Sequence, residues 1–278
     1  MMSLATAYSA RQRMQRLLRT TICHLSSSAT VASERTDSQL LTAYEYAALV
    51  SPEQQKRCME KMRNLPAFPR PKSLTPTRRE KLSASVLIAL CQERGTDEIS
   101  LLYTRRSRHL RSHSFQISFP GGKRDESDES YVDCALRETE EEIGLPRDRI
   151  QVWGEAKPLY LPLTSAIVPV VGFVADFHIS ELRLNWEEVE EAFSIPLNSL
   201  MAPKAARHTQ FRSGYSSPAF VVDQYRIWGI TGYLTHVFLH CLLPPSQLPD
   251  SLKTNIKFVR PFKTPPKPRH RSDPSMAS

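Results

Sequence analysis

Glu138, Glu141 and Glu142 stand at i, i+3 and i+4 in the stretch 119–145, FPGGKRDESDESYVDCALRETEEEIGL. On a helix that spacing puts three carboxylates on one face, where like charges destabilise one another unless something cationic sits among them. A hard divalent ion such as Mg²⁺ or Mn²⁺ answers this, because it takes oxygen ligands and commonly bridges to substrate phosphates. Arg137, four residues before Glu141, can pair with it along the helix and hold that carboxylate in one rotamer, an orienting role. Gly144 suits a left-handed helix C-cap, and Gly121-Gly122 lets the backbone pass close to the helix and the metal. Upstream lie Arg105, Arg106 and Arg111, whose guanidinium forks suit phosphate. Strand alternation turns one of Arg105 and Arg106 away.

These residues need elements to position them. Runs of β-type residues at 84–91 and 99–104 flank a hairpin-like break at 94–97, and further strands are expected at 150–154, 166–175 and 219–222. Helices are expected at 38–64, with Ser51-Pro52-Glu53 as a start signal, at 187–193 and at 230–243. Prolines 66, 69, 71 and 76 mark a linker. The expected organisation is an N-terminal segment 1–33, a helical segment and Pro-rich linker 34–82, a catalytic domain 83–245, and a basic, Pro-rich disordered tail 246–278. Trp153, Tyr160, Trp186 and Trp228 could stack on a planar ring such as adenine, but a large aromatic at a strand or helix start is more often a core residue, and they are read as core.

The second half of the stretch, Arg137-Glu138-Thr139-Glu140-Glu141-Glu142-Ile143-Gly144-Leu145, resembles the box of the Nudix hydrolase family, G-x5-E-x7-R-E-U-x-E-E-x-G-U with U apolar, apart from Thr139 at an apolar position. Gly122 and Arg137 are one residue further apart than in that box, so either Asp128 or Glu129 stands at its first Glu. This insertion resembles the coenzyme A diphosphatase branch. So does the upstream motif, in which Thr104, Arg106, Ser107, Arg111 and 119–122 (FPGG) fall in register while Phe115 replaces a glycine and Tyr103 a leucine. Residues 188–193 with Pro196-Leu197, and 228–232, also look like this branch, so the resemblance spans about 84–243.

The resemblance implies an α/β fold, a Nudix-type α/β/α sandwich with a mixed sheet. It implies hydrolysis of the diphosphate of coenzyme A or acyl-CoA to 3′,5′-ADP and (acyl-)4′-phosphopantetheine with Mg²⁺ or Mn²⁺. Glu138 and Glu142 are then the principal metal ligands, Glu141 a third ligand or the base, Arg137 its orienting partner, and Arg106, Arg111, Gly121 and Gly122 the substrate-binding set. Glu188 or Glu190 could add a ligand or base, although a solvated helix face is the plainer reading. Two other readings stand beside this one: a Nudix hydrolase of ADP-ribose or a dinucleoside polyphosphate, and a catalytically weak module binding CoA or RNA.

Charge placement bears on these alternatives. Residues 1–33 hold four arginines and no acid, and 253–278 hold seven basic residues against Asp273, so 34–252 carries −2 of a total of +8. A basic stripe on the folded part, as nucleic-acid binding requires, is not expected. The Arg- and Ser-rich, acid-free N-terminus, with Met14, Leu17, Leu18 and Ile22 on one helical arc, has the composition of a mitochondrial transit peptide. The apolar run 228–243 is too short to span a bilayer. The five cysteines, widely spaced and without CxxC, read as buried thiols.

Overall fold

The computed structural model describes residues 41–65, 84–110, 113–160, 166–210 and 216–253. The transit-peptide segment 1–33, the prolines of the linker and the tail beyond 253 lie outside these residues, as does Arg111.

Eight strands form a mixed sheet: β1 (Ala84–Glu93), β2 (Ile99–Arg106), β3 (Ile117–Ser118), β4 (Gly121–Lys123), β5 (Gln151–Glu155), β6 (Leu159–Tyr160), β7 (Ala166–Phe177) and β8 (Val189–Pro196). Their order is β3-β2-β1-β7-β5, with β4 beside β1, β6 beside β7 and β8 beside β2. Only β1 and β7 run parallel. The helices are α1 (Ala43–Leu49), α2 (Pro52–Arg63), α3 (Tyr131–Ile143), α4 (Leu197–Met201), α5 (Gly229–Leu242) and α6 (Asp250–Lys253). A second, antiparallel sheet holds β9 (Ala206–Gln210), β10 (Ser216–Val222) and β11 (Tyr225–Ile227).

Side-chain alternation along the central strands produces two hydrophobic layers. Leu87, Ala89 and Cys91 of β1 and Leu102 of β2 share one core with Ala135 and Ile143 of α3. Ile88, Leu90, Leu101 and Tyr103 point the other way, into a core with Phe238, Leu239 and Leu242 of α5. Helices therefore cover both faces, as the expected α/β/α sandwich requires. By the same alternation Arg106 lies on the α3 face of β2 and Arg105 on the opposite face.

Three expectations are corrected. Residues 187–193 were expected as a helix, but 189–196 form β8, paired with β2 in the register Leu101↔Ile195 and Tyr103↔Phe193. Burial of Val189, Phe193 and Ile195 against the sheet overrides the helical propensity of the glutamates. The boundary at 83 does not separate two cores: Leu49 of α1 and Cys58, Met59 and Met62 of α2 join the α5 core, and the Gln54 side-chain amide donates to the Leu242 carbonyl. The tail does not begin at 246, since Leu248 and Leu252 are buried in that core. Ser51 caps α2 as expected, accepting from the Gln54 N–H. Cys58, Cys91, Cys134 and Cys241 are buried free thiols, and no helix among the described residues is long and apolar enough to cross a membrane.

The α5 core contains two histidines. His236 and His240 have ring centroids 4.5 Å apart; Nε2 of His240 meets the Leu252 carbonyl at 3.0 Å, while Nε2 of His236 and Nδ1 of His240 have no hydrogen-bond partner. Burial pushes both rings below the usual histidine range. The folded protein thus keeps them neutral, while the unfolded chain takes up protons below about pH 6.5. Stability from this pair is present above that pH and lost as pH falls, by up to about 1.4 kcal/mol per pH unit for each ring. Thermal melts from pH 7.5 to 5.5 should therefore show wild type losing stability faster than His236→Leu. Parallel curves would show that the pair carries no such linkage.

Candidate functional site

The site is built on α3. Ser130 starts this helix by accepting from the Asp133 N–H at 3.0 Å, and Gly144 ends it at φ 66°, its N–H bonded to the Glu140 carbonyl. Thr139, at an apolar position of the box, is fully buried and satisfies its hydroxyl by donating to the Ala135 carbonyl at 2.6 Å.

Glu138 and Glu142, one turn apart, turn toward β4. One oxygen from each of Glu138, Glu142 and Glu188 lies within 4.8 Å of the others. Glu142 is only 2% exposed, accepts from the Gly121 N–H at 3.1 Å and faces Nη1 of Arg106 at 3.9 Å. Burial pushes its carboxyl up to about 8, against the pull of that N–H and of Arg106. Burial also raises Glu138, opposed by Arg137. Burial and the neighbouring glutamates thus oppose ionisation of Glu138 and Glu142 more than Arg106 and Arg137 favour it. Three convergent carboxylate oxygens are the donor set a hard divalent cation takes.

Both glycines are required by contact. A Cβ on Gly122 would stand 2.2 Å from Oε2 of Glu138, and one on Gly121, at φ 143°, would stand 2.2 Å from the Ser85 carbonyl oxygen of β1. Gly121-Gly122 therefore lets β4 lie between β1 and the carboxylates.

Arg137 is the hub behind the cluster. Its Nε and Nη2 grip Asp128 at 2.7 and 2.9 Å, Nη1 reaches Glu141 at 2.9 Å, and Nη2 also reaches Glu138 at 3.1 Å and the Lys123 carbonyl at 3.2 Å. Asp128, its side chain 1% exposed, is held down to about 2, chiefly by this guanidinium. The alternative between Asp128 and Glu129 resolves to Asp128, because the loop turns it inward through a 2.7 Å bond from the Asp125 N–H.

The structure brings together Glu138, Glu142, Arg106, Arg137, Gly121 and Gly122. It does not bring Glu141 into the carboxylate cluster: that side chain is 57% exposed, with Oε2 held by Arg137. Glu188 takes the third place instead. The segment before β8 is tied to the end of α3 by bonds from the Arg183 N–H to the Ile143 carbonyl (2.8 Å) and from the Asn185 N–H to the Glu142 carbonyl (2.9 Å), while the Glu188 carbonyl accepts from Ser107 (2.8 Å). Glu190 is turned away, paired with Arg108. Arg105 pairs with Glu191 at 3.1 Å, and its guanidinium lies over Tyr225 on the far face of the sheet. Trp153 packs against the core, but Trp186 is 67% exposed, contrary to its reading as a core residue.

Phe115, at the glycine position of the upstream motif, adopts φ 60°, with its N–H bonded to the Arg106 carbonyl at 3.1 Å. The left-handed region costs a side chain of this size about 1–2 kcal/mol, partly offset in a glycine variant by greater freedom of the unfolded chain. Phe115→Gly should therefore stabilise the protein by about 0.5–1 kcal/mol, read as a higher denaturant midpoint at unchanged slope. A lower midpoint would place the stabilising weight on the ring, over which the Arg108 guanidinium lies at 5.5 Å.

The sequence profile of the NUDIX domain matches residues 81–214. A human protein named mitochondrial coenzyme A diphosphatase NUDT8 is 41% identical over 172 residues, covering 60% of this chain and 72% of that protein. Its mouse counterpart is 40% identical over 167 residues, covering 58% and 79%. Nudix hydrolase 3 of Caenorhabditis elegans is 32% identical over 206 residues, covering 67% and 83%. With the box helix, its glycine turn and its carboxylates in the arrangement described, and with relatives matched over most of their length, the chain belongs to the Nudix hydrolase family.

Proposed function

We propose that the protein is a mitochondrial coenzyme A diphosphatase, cleaving CoA and acyl-CoA to 3′,5′-ADP and (acyl-)4′-phosphopantetheine. The observation that carries the chemistry is the convergence of Glu138, Glu142 and Glu188 opposite Arg106. Support for the substrate and compartment comes from the named activity and location of the human and mouse relatives.

In this reading Glu138, Glu142 and Glu188 hold Mg²⁺ or Mn²⁺. When bound, such an ion lowers the pKa of a water and offsets charge building on the phosphate oxygens. Arg106 pairs with a phosphate oxygen from the β2 side, and Arg111 belongs to the same substrate-binding set. Gly121 and Gly122 serve the same set by letting the β4 backbone pass against Glu138 and β1, which brings the Gly121 N–H to Glu142. Glu141 is the general base: Arg137 anchors one of its oxygens, and its exposure leaves the carboxylate open to a water. Arg137 thereby positions base and ligand together.

The test is product identification with the full-length protein, Mg²⁺ or Mn²⁺, and CoA, ADP-ribose or a dinucleoside polyphosphate. Release of 3′,5′-ADP from CoA in preference to cleavage of the other two is the expected result. Preference for ADP-ribose or the dinucleotide would overturn the substrate assignment, and absence of any turnover would overturn the enzymatic reading. The transit-peptide assignment is tested separately: deletion of 1–33 should abolish mitochondrial import while leaving activity in vitro.

A further inference from the structure

Trp186 presents its indole to solvent from a turn that is firmly held. The Asn185 N–H is bonded to the Glu142 carbonyl at 2.9 Å, and the Asn185 carbonyl accepts from the N–H groups of Glu188 (2.9 Å) and Val189 (2.8 Å). The Asn185 side-chain oxygen accepts from the Glu187 N–H at 3.3 Å. Trp186 is therefore the second residue of a tight turn with one end fixed to the backbone of Glu142 and the other leading into Glu188. Two residues of chain place its Cα within about 7 Å of that of Glu188.

A single exposed apolar side chain needs no explanation on most surfaces. An exposed indole on a backbone held between Glu142 and Glu188 is different, because the turn forgoes the burial that such a large apolar ring would otherwise find. Phe115, the other large exposed ring near Arg106, already carries the Arg108 guanidinium; Trp186 has no ring or guanidinium stacked on it among the described residues.

We infer that Trp186 is a specificity-determining residue that stacks on the purine of the substrate while the diphosphate lies at Glu138, Glu142 and Glu188. The inference rests on the coenzyme A diphosphatase reading. A flat, lone ring offers a π-face, which suits a planar base. An acyl chain or pantetheine arm gains little there, since flexible chains need a trough with several apolar walls, and the neighbours in this turn are Asn185, Glu187 and Glu188.

The experiment uses full-length wild type, Trp186→Ala and Trp186→Phe with CoA and Mn²⁺, and 3′,5′-ADP and 4′-phosphopantetheine as product inhibitors. Trp186→Ala should raise the KM for CoA and the Ki of 3′,5′-ADP together, by roughly 5- to 100-fold, the range that loss of one stacked base gives. It should leave kcat within about three-fold and the Ki of 4′-phosphopantetheine unchanged, and Trp186→Phe should restore most of the affinity. An unchanged KM, or a rise confined to 4′-phosphopantetheine, overturns the inference. Binding is also read without turnover, by quenching of tryptophan fluorescence with 3′,5′-ADP: the quench should disappear in Trp186→Phe, and an equal quench in both proteins overturns the inference. Failure of wild type to cleave CoA would instead count against the substrate reading, and is distinguishable on that ground.

Discussion

Glu142→Gln is expected to lower kcat on CoA by about a thousand-fold or more while the protein remains folded. The amide keeps the size of the side chain and can still accept from the Gly121 N–H. It removes the charge that stands 2% exposed beside Glu138 and Glu188. Two measurements separate this from general damage. Without added metal the variant should melt higher than wild type at neutral pH, because wild type must take up a proton at Glu142 on folding or bury its charge, and the amide does neither. Added Mn²⁺ should raise the melting temperature of wild type and not that of the variant, since a ligand that binds only the folded state stabilises by mass action. Activity within ten-fold of wild type, or an equal metal-induced shift, would refute the assigned role.

Arg137→Met should destabilise the protein by about 3–5 kcal/mol, the cost of stripping the partner from a buried ion pair. The larger share arises at Asp128, whose buried carboxylate loses both bonds to the guanidinium. Wild-type Asp128, held down to about 2, contributes stability that is present above the ordinary carboxylate range and lost as pH falls toward 2; the variant should lack that contribution. Activity should fall beyond the loss of folded protein, because Glu138 and Glu141 are released together. Combining Arg137→Met with Asp128→Leu should recover much of the stability and none of the activity, separating the structural pair from the positioning of the two glutamates. A double variant with normal turnover would show that Arg137 serves the fold alone.

The parts of the site that the sequence disclosed are those set by local spacing. The i, i+4 relation of Glu138 and Glu142, the left-handed cap at Gly144 and the glycine pair are properties of one contiguous segment, and helix geometry fixes their relations before any tertiary contact. Glu188 stood beside Glu190 as a candidate ligand or base, and the choice between them was not legible, because it depends on the pairing of β8 with β2 while the surroundings, Glu-Val-Glu-Glu-Ala-Phe, carry helical propensity. Asp128 could not be separated from Glu129 by counting, since the choice depends on how one loop turns. The prolines after residue 65 suggested a separate N-terminal unit, yet Cys58, Met59 and Met62 are buried with α5. Covalent distance along a linker says little about where an apolar helix face finds cover. Trp186 was read as core by its residue type, whereas its exposure follows from the turn that carries it.

The parallel pairing of β1 with β7 has a consequence for the order of events during folding. Ser85 donates its hydroxyl to the Val168 carbonyl across a separation of 83 residues, and α3 with its glutamates lies entirely inside that loop. A chain emerging from synthesis or from a membrane pore has made the whole Nudix box before β7 is available to close the sheet. Glu188 comes later still. The helix alone therefore offers two of the three clustered carboxylates on a solvated surface, and the three-carboxylate cluster appears only when the long loop has closed. Such distant pairing is slow to form. Metal-dependent fluorescence or activity should thus be among the last signals to develop in a refolding time course, after helical circular dichroism.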